Sequence, residues 1–138
     1  MKKTYRAKLE KLQDEPGIGE AFLPTTDDIR KWFRILNREL FANVFTAVPD
    51  IDIRRRRMAW AYFEYQYDTI RTDYVWTRLL MNNKYRSKLH FVEVLAHEMV
   101  HLYQVLHNNP PGHGPSFHEW KEHFNEKGLR LLELGYET

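Results

Sequence analysis

The sequence predicts a single α+β domain with an N-terminal helix, a small antiparallel sheet of about three strands, a central helix and a C-terminal helix. Three observations carry this. Apolar residues at helical spacing flank an aromatic, β-branched middle, turn signals divide that middle, and 138 residues suffice for one core but not two. An apolar content of 43% supports a folded globule, and no apolar run reaches the ~18 residues of a membrane span.

The first two dozen residues are polar and end in Pro16-Gly17-Ile18-Gly19 and Pro24, so residues 1–24 read as a tail or arm laid over a domain spanning 25–138. Thr25-Thr26-Asp27-Asp28 offers an N-cap and acidic residues for the positive end of a helix. Ile29, Trp32, Phe33, Leu36, Leu40 and Phe41 follow at helical spacing, predicting a helix over roughly 26–44. Between Val48 and Asn83, turn signals at Pro49-Asp50, Tyr67-Asp68 and Asn82-Asn83 separate antiparallel strands expected near 51–57, 59–67 and 73–81. A second helix is expected over 86–108, where Val92, Leu95, Ala96, Met99, Leu102, Tyr103 and Leu106 form a continuous apolar stripe. Pro110-Pro111-Gly112 stops it. A third helix is expected from Pro115 or Ser116 to Lys127, with Gly128 at its C′ position.

The second helix carries His97-Glu98-Met99-Val100-His101. Helical residues i and i+4 share a face, so both imidazoles can reach one Zn²⁺ while Glu98 stands beside the open coordination position, as in a zinc peptidase. Random placement of these residue types would give roughly 0.03 such matches in a chain of this composition. His97 and His101 lie beside the apolar stripe on the strip shared with Val94 and Gln104, which anchors the helix and leaves both rings facing a cleft.

Two histidines do not complete a zinc site, and the absence of cysteine leaves His, Asp and Glu as ligands while excluding disulfides and thiol catalysis. The candidates are His107, His113, His118, Glu119, Glu122 and His123. His107 has the spacing of HExxHxxGxxH, but Gln104 stands where that pattern needs a glycine to turn the chain. Glu119 and Glu122 could act as carboxylate ligands from the following helix, yet Ser116-Phe117-His118-Glu119 is also a capping box that would occupy Glu119. His113 is preferred, because Gly112 and Gly114 beside it permit backbone angles that bring an imidazole close to the metal. Phe117, Trp120 and Phe124 would pack the third helix beneath that loop.

Leu95-Ala96-His97-Glu98-Met99-Val100-His101, followed by Gly112-His113-Gly114-Pro115-Ser116-Phe117, resembles the HExxH and HGxxF elements of the SprT-like zinc metallopeptidases, which include proteases acting on DNA-protein crosslinks. The layout fits over roughly residues 26–130. The resemblance implies a minimal zincin-like domain in which His97, His101 and His113 ligate Zn²⁺ and Glu98 is the catalytic carboxylate. Many members add a cysteine zinc ribbon, which this cysteine-free sequence does not have, so recruitment in that manner is not expected. His118, His90 and Tyr62 are candidate oxyanion donors, and Glu122 is a candidate acceptor for an imidazole N–H.

Charge is divided unevenly, with 18 basic and 12 acidic residues over 1–90 against 3 and 7 over 91–138. Arg54, Arg55, Arg56 and Arg57 precede Trp60, Tyr62, Tyr65 and Tyr67, a basic and aromatic combination suited to single-stranded DNA or DNA-protein complexes. If the run is instead strand, alternation sends some arginines to solvent and the aromatics to the core. The expected substrate is a protein or peptide. Without a secretory signal or membrane span, a cytoplasmic monomer is expected. Two other readings compete: a general zinc peptidase without a nucleic-acid role, and a non-catalytic zinc-stabilised binding domain.

Overall fold

The structure, a computed structural model, describes residues 4–13, 21–57 and 59–133. Among these it is a mixed α+β fold of five helices and one three-stranded sheet. No helix is long and apolar enough to cross a membrane among the described residues.

Within the segment expected as an arm, Tyr5–Gln13 forms helix α1, which buries Leu9 and Leu12 in the core. Pro16-Gly17-Ile18-Gly19 lies outside the described residues. Helix α2 (Thr26–Leu40) begins at a reciprocal capping box: the Thr25 hydroxyl accepts from the Asp28 amide, and the Asp28 carboxylate accepts from the Thr25 amide. Its buried face is Ile29, Trp32, Phe33, Leu36 and Leu40, as the periodicity predicts. The helix ends four residues earlier than expected because Ala42 and Asn43 adopt φ of 51° and 59°, left-handed angles that terminate the helical path.

The strands are β1 (Asp50–Ile53), β2 (Ala61–Asp68) and β3 (Asp73–Met81), in the order β1-β3-β2. The all-antiparallel expectation holds for β2 with β3 but not for β1, which pairs parallel to β3. The arginine run supplies the physical reason. It is not strand: residues 54–57 leave β1 and wrap the end of β3, where the Arg54 amide and the Arg56 Nε–H both donate to Met81 O. Asn82 fastens the same crossing from the other side, its Nδ2 donating to Arg56 O and Ala59 O. A chain that passes around β3 instead of reversing beside it lays β1 and β2 on opposite edges.

Helix α3 (Lys88–Leu106) starts at the Ser87 N-cap and is buried almost throughout, with Val94, Leu95, Ala96, Met99, Val100 and Leu102 at zero exposure. A helix apolar on several faces is a central element, and α3 touches α1, α2, α4, β2 and β3. The expected third helix is two, α4 (Pro115–His118) and α5 (Trp120–Glu126), separated at Glu119. α4 has Gly114 as its N-cap with no side-chain cap, so the capping box expected at Ser116 and Glu119 does not form. Gly128 is C′ of α5 at φ 75°, as expected. The Gly128 amide bonds to Asn125 O and the Leu129 amide to Phe124 O, a Schellman motif that sends the chain back across α3.

Candidate metal centre

His97 and His101 sit one turn apart on α3, buried at 1% and 7% exposure, and His113 reaches them from the loop before α4. The three Nε2 atoms form a nearly equilateral triangle: 3.1 Å between His97 and His101, 3.2 Å between His101 and His113, and 3.3 Å between His97 and His113. Ligands ~2.05 Å from a tetrahedral ion lie about 3.3 Å apart, so this triangle has the dimensions of one face of such a site. Among the described residues these three are the group of His, Asp or Glu side chains close enough to hold one ion.

The tautomers fit that use. His97 Nδ1 faces the carbonyl of Leu132, which can only accept, so Nδ1 carries the proton and Nε2 presents a lone pair. His101 Nδ1 faces Gln104 Oε1 at 2.9 Å. The Gln104 amide cannot turn round: Oε1 also accepts from the Gly112 amide, and Nε2 donates to Gly112 O at 3.1 Å and Ser116 Oγ at 2.9 Å. His101 is therefore fixed with its Nε2 lone pair toward the other two rings. Two such lone pairs 3.1 Å apart repel unless a cation lies between them, and this donor set fits a divalent metal. Burial holds the pKa of His97 down to about 3 and that of His101 to about 4, with further lowering by the neighbouring histidines against the hydrogen bonds to Leu132 and Gln104. His113 is also lowered, by its own desolvation and then by His118. All three are neutral, ligand-ready imidazoles at neutral pH.

Phe117 supports the cluster from below. At zero exposure, its ring stacks on His101 at 5.2 Å and meets His97 and His113 edge-on at 4.9 and 4.8 Å. Glu98, next to His97 on α3, is 3% exposed, and burial pushes its carboxyl up to about 8. A carboxyl poised near neutrality can both take and return a proton at physiological pH.

The other candidates are engaged elsewhere. His107 caps α3, donating from Nδ1 to Tyr103 O and stacking on Tyr103. His118, Glu119 and Glu122 are exposed, and His123 Nε2 bonds to Leu40 O, joining α5 to the end of α2. For His97 and His101 the imidazole acceptors are Leu132 O and Gln104 Oε1 in place of Glu122. His90 lies at the start of α3, with its ring on Trp60 and Tyr85, and Tyr62 bonds to Arg56.

The glycines beside His113 do not act as expected. Neither has a positive φ, and a Cβ at either would meet nothing within 4 Å. The loop is placed by Gln104, whose importance was hidden because it stood where a metzincin has glycine. Its signal was positional, since three residues beyond His101 it lies on the ligand strip. The Leu132 carbonyl had no sequence signal, because backbone groups at a distance leave none.

Of the four arginines, Arg56 is structural: its side chain is 9% exposed and donates to Met81 O, Asp52 and the Tyr62 hydroxyl. Arg54 pairs with Asp52 at 2.8 Å, while Arg55 and Arg57 are exposed. Arg55 and Arg56 join Trp60, Asn83, Lys84 and Arg86 around an open cavity of about 490 Å³, with the Arg86 guanidinium 5.7 Å from the Trp60 ring.

The sequence profile of the SprT-like family matches residues 29–133, most of the chain and all of the histidine cluster. The chain belongs to the SprT-like family. No curated protein matches it. Membership in the SprT-like family makes this a metallopeptidase-type domain, and the three histidines give it a place to hold a metal ion.

Within this SprT-like site, Gln104→Ala is expected to weaken metal binding by about 10- to 100-fold, because it frees the His101 ring and releases the His113 loop together. Competition against a chromophoric chelator measures this. Parent-like affinity in the variant would mean that Gln104 does not hold the His101 ring or the His113 loop.

Proposed function

We propose that this chain is a zinc endopeptidase of minimal zincin-like fold, with residues 25–138 as the catalytic domain and 1–24 as an arm, working as a cytoplasmic monomer. The observation that carries the proposal is the convergence of the three Nε2 atoms on a helix that also buries Glu98, the residue after His97. His97, His101 and His113 would hold the ion. When bound, Zn²⁺ supplies Lewis acidity, acidifying water and polarising a carbonyl. Glu98 accepts the proton of the attacking water and delivers it to the leaving amine, so the nitrogen departs neutral and the new carboxyl retains the water oxygen. Phe117 and Phe63, both buried against His101, keep the ligand rings in place and bulk water away from their backs. A purely structural site has no need of the buried acid, which favours catalysis over a zinc-stabilised binding domain.

We further propose that the substrates are proteins held on DNA. The surface for DNA is not the arginine run as a whole. Arg55, Lys84 and Arg86 are exposed around the cavity beside Trp60, a basic rim with an aromatic floor on which a base can stack. Arg57 extends that surface.

The test is hydrolysis of a basic protein with and without single-stranded DNA, after metal removal and after Zn²⁺ is restored. Metal-dependent cleavage that DNA accelerates, and that loses its acceleration in Arg55→Ala/Lys84→Ala/Arg86→Ala, supports both proposals. Cleavage indifferent to DNA would leave a general zinc peptidase, and no cleavage with zinc bound would leave a binding domain.

A further inference from the structure

Beyond the ligands themselves, the segment after α5 crosses α3 on the ligand strip. The Schellman turn at Gly128 directs Leu129, Leu131 and Leu132 into the core, where they are 2%, 6% and 2% exposed. Between the leucines, Arg130 reaches Glu93 with two nitrogens, Nε to Oε2 at 3.2 Å and Nη2 to Oε1 at 3.3 Å. Glu93 is one turn before His97 on α3, and its side chain is only 8% exposed. Two residues on from Arg130, Leu132 O receives the His97 Nδ1 proton. The spacing matches: four residues of helix rise about 6 Å, and two residues of extended chain span up to about 6.6 Å. One fork and one carbonyl on the segment therefore meet two consecutive turns of α3.

We infer that the 129–132 segment is a positioning strap for the metal centre, in which the Arg130–Glu93 fork sets the register of the Leu132 carbonyl and so the tautomer and orientation of His97. This rests on the metal-site reading above and assigns Arg130 and Glu93 a part in metal affinity although neither touches the ion. The geometry favours a role of this kind over a plain surface ion pair. Arg130 is largely solvent-exposed, so the pair by itself would contribute little to stability, but Glu93 is buried and fixed to the helix that carries the ligand. Leucine packing alone would tolerate a small slide of the strap along α3, and the bidentate fork resists it. A slide of even one ångström would take the carbonyl from the ring nitrogen and let the imidazole turn.

The test uses the full chain and reads Zn²⁺ affinity by chelator competition at a temperature well below unfolding, the visible spectrum of the Co²⁺-loaded protein, and the melting temperature of the metal-free protein. Arg130→Ala is expected to weaken Zn²⁺ binding about tenfold and to alter the Co²⁺ bands, with Arg130→Lys recovering only part of the loss. The double variant Glu93→Gln/Arg130→Ala leaves no buried charge stranded and is expected to keep the full tenfold weakening, which separates register from destabilisation. Parent-like affinity and Co²⁺ spectrum in the folded double variant would overturn the inference, as would losses that follow the metal-free melting temperature. Should neither alanine variant fold, Arg130→Lys is judged by the same criterion. A parent chain that binds no metal overturns the metal-site reading itself and the strap with it, a result distinct from a parent that binds and variants that do not differ.

Discussion

Glu98→Gln will leave metal content unchanged and lower peptide hydrolysis by about a thousandfold. Glutamine is isosteric with the carboxyl, so α3 keeps its packing at a position only 3% exposed. What disappears is the proton acceptor. A positioned general base contributes roughly 10²–10⁴ to rate, and Glu98 would serve in both the attack and the departure of the amine, which puts the expected loss above the low end of that range. The substitution is also benign for folding, because an amide carries no charge to desolvate at this buried position. A melting temperature at or above the parent's, together with stoichiometric metal and no turnover, is the expected set of results. Retained turnover would remove Glu98 from the chemistry and send the search for a base to His118, whose charge acts on His113.

The parts of this molecule that were legible in its sequence are those written locally. The N-cap before α2, the stripe through Leu95 and Met99, and Gly128 as a C′ residue each depend on neighbours within about two helical turns. The HExxH pair is local in the same sense. The parallel pairing of β1 with β3 is not, because it follows from where residues 54–57 cross the sheet, and that crossing is fixed by Met81 and Asn82. The arginine run shows the cost of reading composition without partners: four like residues divide into one part-buried structural clamp, one ion pair and two exposed cations. His113 was found for a reason the structure does not support, since its flanking glycines adopt no special backbone angle. The amide of Gln104 supplies what the glycines were expected to supply. α1 escaped notice because its two core residues, Leu9 and Leu12, lie in an otherwise polar segment, and the Thr4 hydroxyl that caps it by accepting from the Ala7 amide is a weak signal on its own.

His113→Ala and His97→Ala will both abolish stoichiometric zinc binding but will separate in the metal-free protein. Apparent zinc free energies of ~10–16 kcal/mol at four-ligand sites amount to about 2.5–4 kcal/mol per ligand, so losing either imidazole should weaken affinity by roughly a hundred- to a thousandfold. His97 is also a core residue: its ring lies against Phe117 and its Nδ1–H satisfies Leu132 O, so alanine there leaves a cavity and an orphaned carbonyl. That should cost the metal-free fold about 2–4 kcal/mol. His113 is exposed, and with Nε2 atoms 3.2 and 3.3 Å from its own, inward-facing imidazole lone pairs repel unless a cation lies between them. Its removal relieves that repulsion, and the metal-free melting temperature should stay level or rise slightly. Denaturation with and without Zn²⁺ measures both effects: the zinc-induced rise in melting temperature should vanish in both variants, while only His97→Ala starts from a lower baseline. A large metal-free destabilisation in His113→Ala would mean that the loop, and not the ion, is what the histidine chiefly holds. Zinc-induced stabilisation surviving in that variant would move the third ligand away from His113.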